Sequence, residues 1–453
     1  MTKPHATWAS HWTFLLAAIG SAVGLGNIWK FPYITGEYGG GAFVLVYLVC
    51  IALIGVPIMI SEVLIGRASK QNPVHGMYRL AKDSDKSGAW GLVGAMGVLT
   101  GLMILSFYSP IAGWALEYAV NVGNQSFANS NADAVGVQFT QFLGNTAQLT
   151  KMHTIFILVS GIIIALGVVR GLGLAIRVLM PILFVLLFIL LYYSITHGDF
   201  QKALSFMFAT DFSKLSNEAI LSAMGHAFFT LSLGMGAIMT YGSYMPDKPS
   251  IAKTVFVIAF FDTLIALLAG LVIFPLTFAN GLDPSSGPGL LFVSLPIAFG
   301  NMEMGHIYGL VFFSLVCIAA WSSAISILEP GVAWLERLGI HRVLATTLLS
   351  LLAWLGGWAC IQSNNWAGSS DAPRQFFEWI DYIASNILLP LGGLLISIFA
   401  SWKMRRKLAR TQLKGLSEGQ FNTWYALSRV IAPLCIIVVL LNSTGLLDKF
   451  TGS

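Results

Sequence analysis

Glu62, Asp262, Glu329 and Asp381 lie in or at the edge of otherwise apolar stretches, where an unpaired charge is costly and an ionisable side chain is by default a functional one. Asp262 points most directly to function. Glu62 reads as well as a hydrogen-bond acceptor for backbone amides freed by an unwound neighbour. Two further segments, Gly20-Ser-Ala-Val-Gly-Leu-Gly-Asn27 and Thr230-Leu-Ser-Leu-Gly-Met-Gly236, each place a Gly-x-Gly beside hydroxyl or amide side chains. Glycine costs about 1 kcal/mol relative to alanine inside a helix. The pairs Gly24/Gly26 and Gly234/Gly236 therefore mark either tight helix packing or unwound backbone. Unwound backbone offers carbonyls to a cation and half-helix N-termini to a carboxylate. Ser322 and Ser323, taken alone, read as hydroxyls bonded back to their own helix.

These groups must be carried by membrane helices. Only 10% of the 453 residues are Asp, Glu, Lys or Arg, against roughly 25% in a soluble globular protein. With 56% hydrophobic residues, 46 glycines and a mean hydropathy of +0.76, the chain reads as a polytopic membrane protein. A span needs about 20 mostly apolar residues. By that measure there are eleven, near 12–34, 41–65, 90–120, 154–169, 172–196, 218–244, 251–280, 306–335, 344–361, 376–402 and 424–447. The first lacks a cleavage pattern and is expected to stay in the mature chain. Most of the 25 Lys and Arg fall in segments on one side if the N-terminus is cytoplasmic, which places the C-terminus outside. The net charge of +5 does not imply nucleic acid, since in a membrane protein its distribution matters more than its sum. Cys50, Cys317, Cys360 and Cys435 have no metal or redox spacing and read as small core residues. No His-Glu-x-x-His, Gly-x-Ser-x-Gly or Walker motif suggests an enzyme.

The stretch Gly20-Ser-Ala-Val-Gly-Leu-Gly-Asn-Ile-Trp-Lys-Phe-Pro-Tyr33, followed by Gly39-Gly-Gly-Ala-Phe43, closely resembles the first-helix signature of the neurotransmitter:sodium symporter family. Phe228-Phe-Thr-Leu-Ser-Leu-Gly234, and Ser322-Ser323 before Glu329-Pro330, resemble its sixth and eighth helices. The resemblance covers almost the whole chain and is strongest to the bacterial branch. It implies an all-α, leucine-transporter-like fold of inverted repeats, 12–196 and 218–402, with an extra helix at 424–447 and with helices 1 and 6 unwound at mid-span. It also implies a multi-pass protein of the bacterial inner (plasma) membrane, with the lipid bilayer and a small amino acid as its partners.

Carried over by resemblance, a first sodium ion would use Ala22, Asn27, Thr230 and Asp262 together with the substrate carboxylate. A second would use the carbonyls of Gly20, Val23 and Ala319 and the hydroxyls of Ser322 and Ser323. Oxygen ligands suit a hard cation. The substrate would lie among Ala22, Gly24, Leu25, Gly26, Ile104, Tyr108, Phe229, Ser232, Met235, Ser323 and Ile327. Tyr108 and Phe229 would form an outer lid below a Lys30–Asp381 gate, in which Lys30 stands in place of the usual Arg. Trp8 would belong to the inner gate, where His5 and Glu336-Arg337 depart from the family pattern. Gly171 and Pro181 would let helix 5 unwind at its cytoplasmic end. His226 replaces a Gln beside the first ion.

The expected activity is sodium-coupled import of a neutral, hydrophobic L-amino acid by alternating access, because Gly24 stands where monoamine carriers have an Asp. Chloride-dependent relatives use a Tyr on helix 2; Tyr47 is present here, but Asp262 stands where they have an Asn and Ala266 offers no oxygen. No chloride requirement is therefore expected. The alternatives are a carrier of GABA, betaine or taurine, and a transport-inactive amino-acid receptor.

Overall fold

In lipid every backbone N–H and C=O must be satisfied within the protein, so apolar runs of this length become helices. The computed structural model describes residues 8, 10–285, 289–363 and 376–446, and no strand occurs among them. Helices α1 (His11–Ala22) and α2 (Gly26–Glu37) form a pair bent by 48° at a short break. There follow α3 (Gly41–Ser69), α4 (Gly88–Gly123), α5 (Thr146–Ala165) and α6 (Val168–His197). Helices α7 (Asn217–Thr230) and α8 (Ala237–Ser243) flank six residues without helix. Then come α9 (Ile251–Ala279), α10 (Gly305–Arg337), α11 (Arg342–Gln362), α12 (Phe376–Lys403) and α13 (Glu418–Ser443). Among the described residues nine helices are long and apolar enough to cross a membrane, and the bent α1–α2 pair makes ten.

Boundaries moved where caps dictate. The fourth span begins near residue 146 rather than 154 because the Asn145 side chain accepts from the Gln148 amide at 3.1 Å. α13 starts at Glu418, where Ser417 and Gln420 form a reciprocal capping box. The fifth span is helical from Val168 and opens with a π-helical turn containing Gly171. The unwinding expected there is thus not the conformation of this structure. Cys50, Cys317 and Cys360 are buried and all four cysteines are free.

The apolar heart of α10 is 72% buried against protein and that of α6 only 28%, so α10 stands at the centre and α6 faces lipid. Both helix breaks pack on α10. Ser232, between α7 and α8, donates to the Ser21 carbonyl at 2.8 Å, and the Ser21 hydroxyl donates to Ser326 Oγ at 2.9 Å. Ser326 in turn donates to the Ser323 carbonyl at 2.7 Å. This belt holds the two interruptions at one level.

Candidate functional site

Sequence chemistry explains why the second break forms. Gly234 and Gly236 have φ of +80° and +78°, a conformation costly for any side chain, and Ser232 sits at +53°. Glu62, fully buried on α3, takes the freed Gly234 amide at 2.7 Å. Gly24, in the first break, allows a close approach. A Cβ there would collide with Ser323 Oγ and stand 3.2 Å from Tyr108 Oη.

Three buried side chains meet beside these breaks. Asn27 Nδ2 donates to Thr230 Oγ1 at 3.0 Å, to Asp262 Oδ1 at 2.7 Å and to the Asp262 carbonyl at 3.0 Å. Thr230 Oγ1 donates to Asp262 at 3.1 Å. All three residues are sealed from solvent. Among the described residues no Lys, Arg or His forms an ion pair with Asp262. A buried carboxylate held only by neutral groups is a costly arrangement that a cation relieves. The donor set is oxygen throughout once the Asn27 amide presents its carbonyl, which suits a hard monovalent ion.

A second oxygen cluster lies where α1 meets α10. Ser322 Oγ reaches the carbonyls of Ala319 (2.9 Å) and Val23 (3.3 Å), and Ser323 Oγ reaches Val23 at 3.1 Å. Gly20 backs directly on Ser322, since a Cβ at Gly20 would stand 3.5 Å from the Ser322 Cβ. Ser322 bonds back to its own helix, as the pair taken alone suggests, while Ser323 reaches across to the first break.

The eleven residues expected around a substrate line one cleft between the breaks, α4 and α10. Its walls are apolar at Ile104, Met235 and Ile327. Its polar end is the Tyr108 hydroxyl, 3.5 Å from the Leu25 amide and 3.4 Å from the Ala320 carbonyl. Above it Phe229 separates the cleft from a vestibule lined by Trp29, Phe107, Phe377, Lys30 and Asp381.

The expected Lys30–Asp381 gate pair is not made. Lys30 Nζ lies 4.8 Å over the Phe229 ring, while Asp381 accepts from Ser385 at 2.7 Å. A flexible ammonium settles on the nearest aromatic face, and a hydroxyl one turn away satisfies the carboxylate. His226 is buried against Phe31 and Tyr47, and neither of its ring nitrogens has a hydrogen-bond partner among the described residues.

On the opposite side the structure builds a charge cluster whose basic partner, Arg342, sequence reading missed. Glu329, fully buried on α10, accepts from Tyr244 Oη at 2.8 Å and is paired with Arg342 at 2.5 Å. Arg342 also pairs with Glu336 at 2.8 Å and donates to the Ile164 carbonyl at 2.9 Å. Trp8 covers this cluster. Its indole donates to the Tyr241 carbonyl at 3.3 Å, and its ring meets Tyr241 and Tyr244 edge-on. His5 lies outside the described residues. The intramembrane Glu329 was the available signal, but its partner is across a helix–turn–helix junction.

Compared with known proteins, the chain matches the sodium:neurotransmitter symporter family over residues 5–133 and 130–449. It belongs to that family. It is 36% identical to the uncharacterized sodium-dependent transporter YhdH of Bacillus subtilis (strain 168), over 97% of this chain and 98% of that protein. An uncharacterized sodium-dependent transporter of Haemophilus influenzae is 31% identical over 97% of this chain and 98% of its own length. Among solved structures, the crystal structure of MhsT in complex with L-phenylalanine superposes with a TM-score of 0.89 at 40% identity, covering 97% of this chain and all of that one. The chain is therefore a membrane transporter of the symporter family rather than an enzyme.

Proposed function

We propose that the protein imports a neutral, hydrophobic L-amino acid together with two sodium ions, without chloride, by alternating access. The observation that carries this reading is the buried Asp262–Asn27–Thr230 cluster, a carboxylate without a cationic partner, set beside a cleft with apolar walls between the two helix breaks. The relative solved with L-phenylalanine supports the class of substrate. Asp262, Asn27, Thr230 and the Ala22 carbonyl would hold the first ion, with the substrate carboxylate completing it. The oxygens of Gly20, Val23, Ala319, Ser322 and Ser323 would hold the second. The amide ends of the first break and Tyr108 would orient the substrate carboxylate, while Ile104, Met235 and Ile327 would take its side chain.

In this reading the two broken helices are spans 1 and 6 of eleven, in inverted repeats 12–196 and 218–402, with 424–447 outside them. The N-terminus is cytoplasmic and the C-terminus outside. Phe229 and Tyr108, with Lys30 and Asp381 above them, close the outer path. Trp8 and the Tyr244–Glu329–Arg342 cluster close the inner one, and helix 5 would unwind between Gly171 and Pro181 to release the second ion. Two Na⁺ crossing ~100 mV supply ~4.6 kcal/mol, enough for about three decades of accumulation at about 1.4 kcal/mol each.

The test is thermal stabilisation of the purified protein by each of the twenty amino acids, GABA and betaine, in Na⁺ and in K⁺. Stabilisation by Leu, Phe or Trp in Na⁺ alone is expected. Stabilisation by GABA or betaine instead, or equal effects in K⁺, would refute the reading. Counterflow in proteoliposomes separates a carrier from a receptor, which binds but does not exchange.

The cleft also makes a prediction about size. Met235 is flexible and repacks around different guests, so the wild type should accept aliphatic and aromatic side chains. Met235→Phe should disfavour Trp relative to Leu by roughly tenfold, the order expected for a steric change in an apolar pocket. Competition binding reads this directly, and an unchanged ranking would remove Met235 from the pocket wall.

A further inference from the structure

The end of α12, the short helix Arg406–Gln412 and the first half of α13 bear a feature the transport cycle does not use. Three aromatic rings and three guanidiniums alternate there in space. Arg429 lies 4.3 Å over Trp402 and 5.7 Å from Tyr425. Arg406 lies 5.2 Å from Tyr425 and 5.6 Å from Phe421, and Arg410 lies 5.2 Å from Phe421. Few of the guanidinium N–H donors beside these rings have a hydrogen-bond partner among the described residues. Arg406 donates to Asn422 at 2.6 Å, Arg410 to the carbonyls of Leu413 and Leu416, and Arg429 only weakly to Tyr425 at 3.5 Å. Each guanidinium has five donors. Among the described residues none of the three pairs with a carboxylate; the neighbouring Arg405 is the one that does, with Asp85. Lys403, Lys407 and Lys414 are exposed around the ladder, and Glu418 is the single acidic residue between 402 and 429.

The positive-inside rule needs only that Lys and Arg be present at this end. It does not call for guanidiniums set over aromatic rings and left without counter-charge. Such forks match the paired oxygens of a phosphate. The ladder also starts at an apolar rim. Trp402 is 53% exposed, its indole N–H is held by the Arg429 carbonyl at 3.0 Å, and Val430, Ile431 and Leu434 continue the exposed flank along α13. A soluble anion gains nothing from that flank, whereas a phospholipid places its headgroup on the cations and its acyl chains on the rim.

We propose that the Trp402–Arg429–Tyr425–Arg406–Phe421–Arg410 ladder is a docking site for an anionic phospholipid of the leaflet it faces. The assignment does not depend on the transported substrate.

The test uses the full chain in nanodiscs of phosphatidylcholine with or without phosphatidylglycerol, followed by native mass spectrometry of the lipid retained after extraction. The wild type is expected to keep phosphatidylglycerol over phosphatidylcholine. Arg406→Gln/Arg410→Gln/Arg429→Gln should lose that retention by roughly a hundredfold, given the usual contribution of each basic residue at an anionic surface. Lys403→Gln/Lys407→Gln, both exposed and outside the ring contacts, should lose roughly twenty-five-fold and decide the matter if the triple variant does not fold. A control, Arg170→Gln/Arg177→Gln, removes the same charge as the lysine pair at exposed positions away from the ladder, on the same side in this reading, and should retain the lipid. Equal loss in the control would reduce the effect to bulk charge and overturn the site. So would the absence of any preference in the wild type, the same thermal stabilisation from inorganic phosphate alone, or ladder variants that change only the oligomeric state.

Discussion

Asp262→Asn is expected to raise the Na⁺ concentration needed for half-maximal amino-acid binding by roughly a hundredfold, the factor equivalent to about 3 kcal/mol for losing one partner of a buried charge pair. The neutral amide keeps the size of the side chain, so Asn27 and Thr230 retain a partner and the fold should survive. What is lost is the fixed negative charge beside the ion. An external anion could then supply it, and transport by the variant should respond to chloride while the wild type does not. In the wild type a chloride beside the carboxylate would be repelled at short range in a medium of low dielectric. Sodium titrations of substrate binding, in chloride and in gluconate, measure both effects. Wild-type uptake that vanishes in gluconate would sink the fixed-charge account.

Arg342→Ala is expected to cost about 3–5 kcal/mol, because it leaves the Glu329 carboxylate buried and unpaired. Glu329 is wholly enclosed, while Glu336, the other partner of Arg342, is 38% exposed. Glu336→Gln should therefore cost less than about 1 kcal/mol. Adding Glu329→Gln to Arg342→Ala should restore much of the lost stability, since the stranded charge is gone, while the closure over the inner path stays weakened. Melting of the purified proteins gives the stability order, and proteoliposome uptake reports the closure. Equal destabilisation by Arg342→Ala and Glu336→Gln would mean that the buried pair contributes no more than a surface contact.

The parts legible in the sequence were those where residue type is demanding. Gly24, Gly26, Gly234 and Gly236 narrowed the reading to tight packing or unwound backbone, and Asp262 in an apolar span called for a partner. Helix ends were less legible, because Asn145 and Ser417 act through single side-chain bonds that hydropathy does not register. For the inner gate the sequence offered Trp8 but no charge pair, because His5 and Glu336-Arg337 break the family pattern there. The structure instead carries the charge on Glu329 and Arg342, thirteen positions apart in number and brought together only by the turn between α10 and α11. Lys30 and Asp381 face one vestibule as expected, yet a nearby ring and a nearby hydroxyl outcompete their direct pairing. Complementary charge alone does not specify a contact when both partners have closer company.

The position of Trp8 has a practical consequence for anyone who wishes to watch the protein move. Its indole is enclosed between Tyr241 and Tyr244 and anchored by one bond to a carbonyl. Ring currents from two tyrosines fall on it from fixed directions. A fluorine label on that indole would therefore carry a shifted resonance while the segment is docked and the ordinary resonance of a hydrated tryptophan when it lifts. The thirteen tryptophans of the chain would crowd a fluorescence measurement, but a Trp8→Phe comparison assigns one resonance among thirteen without ambiguity. A solubility tag belongs at the far end of the chain, away from the segment whose release is to be observed.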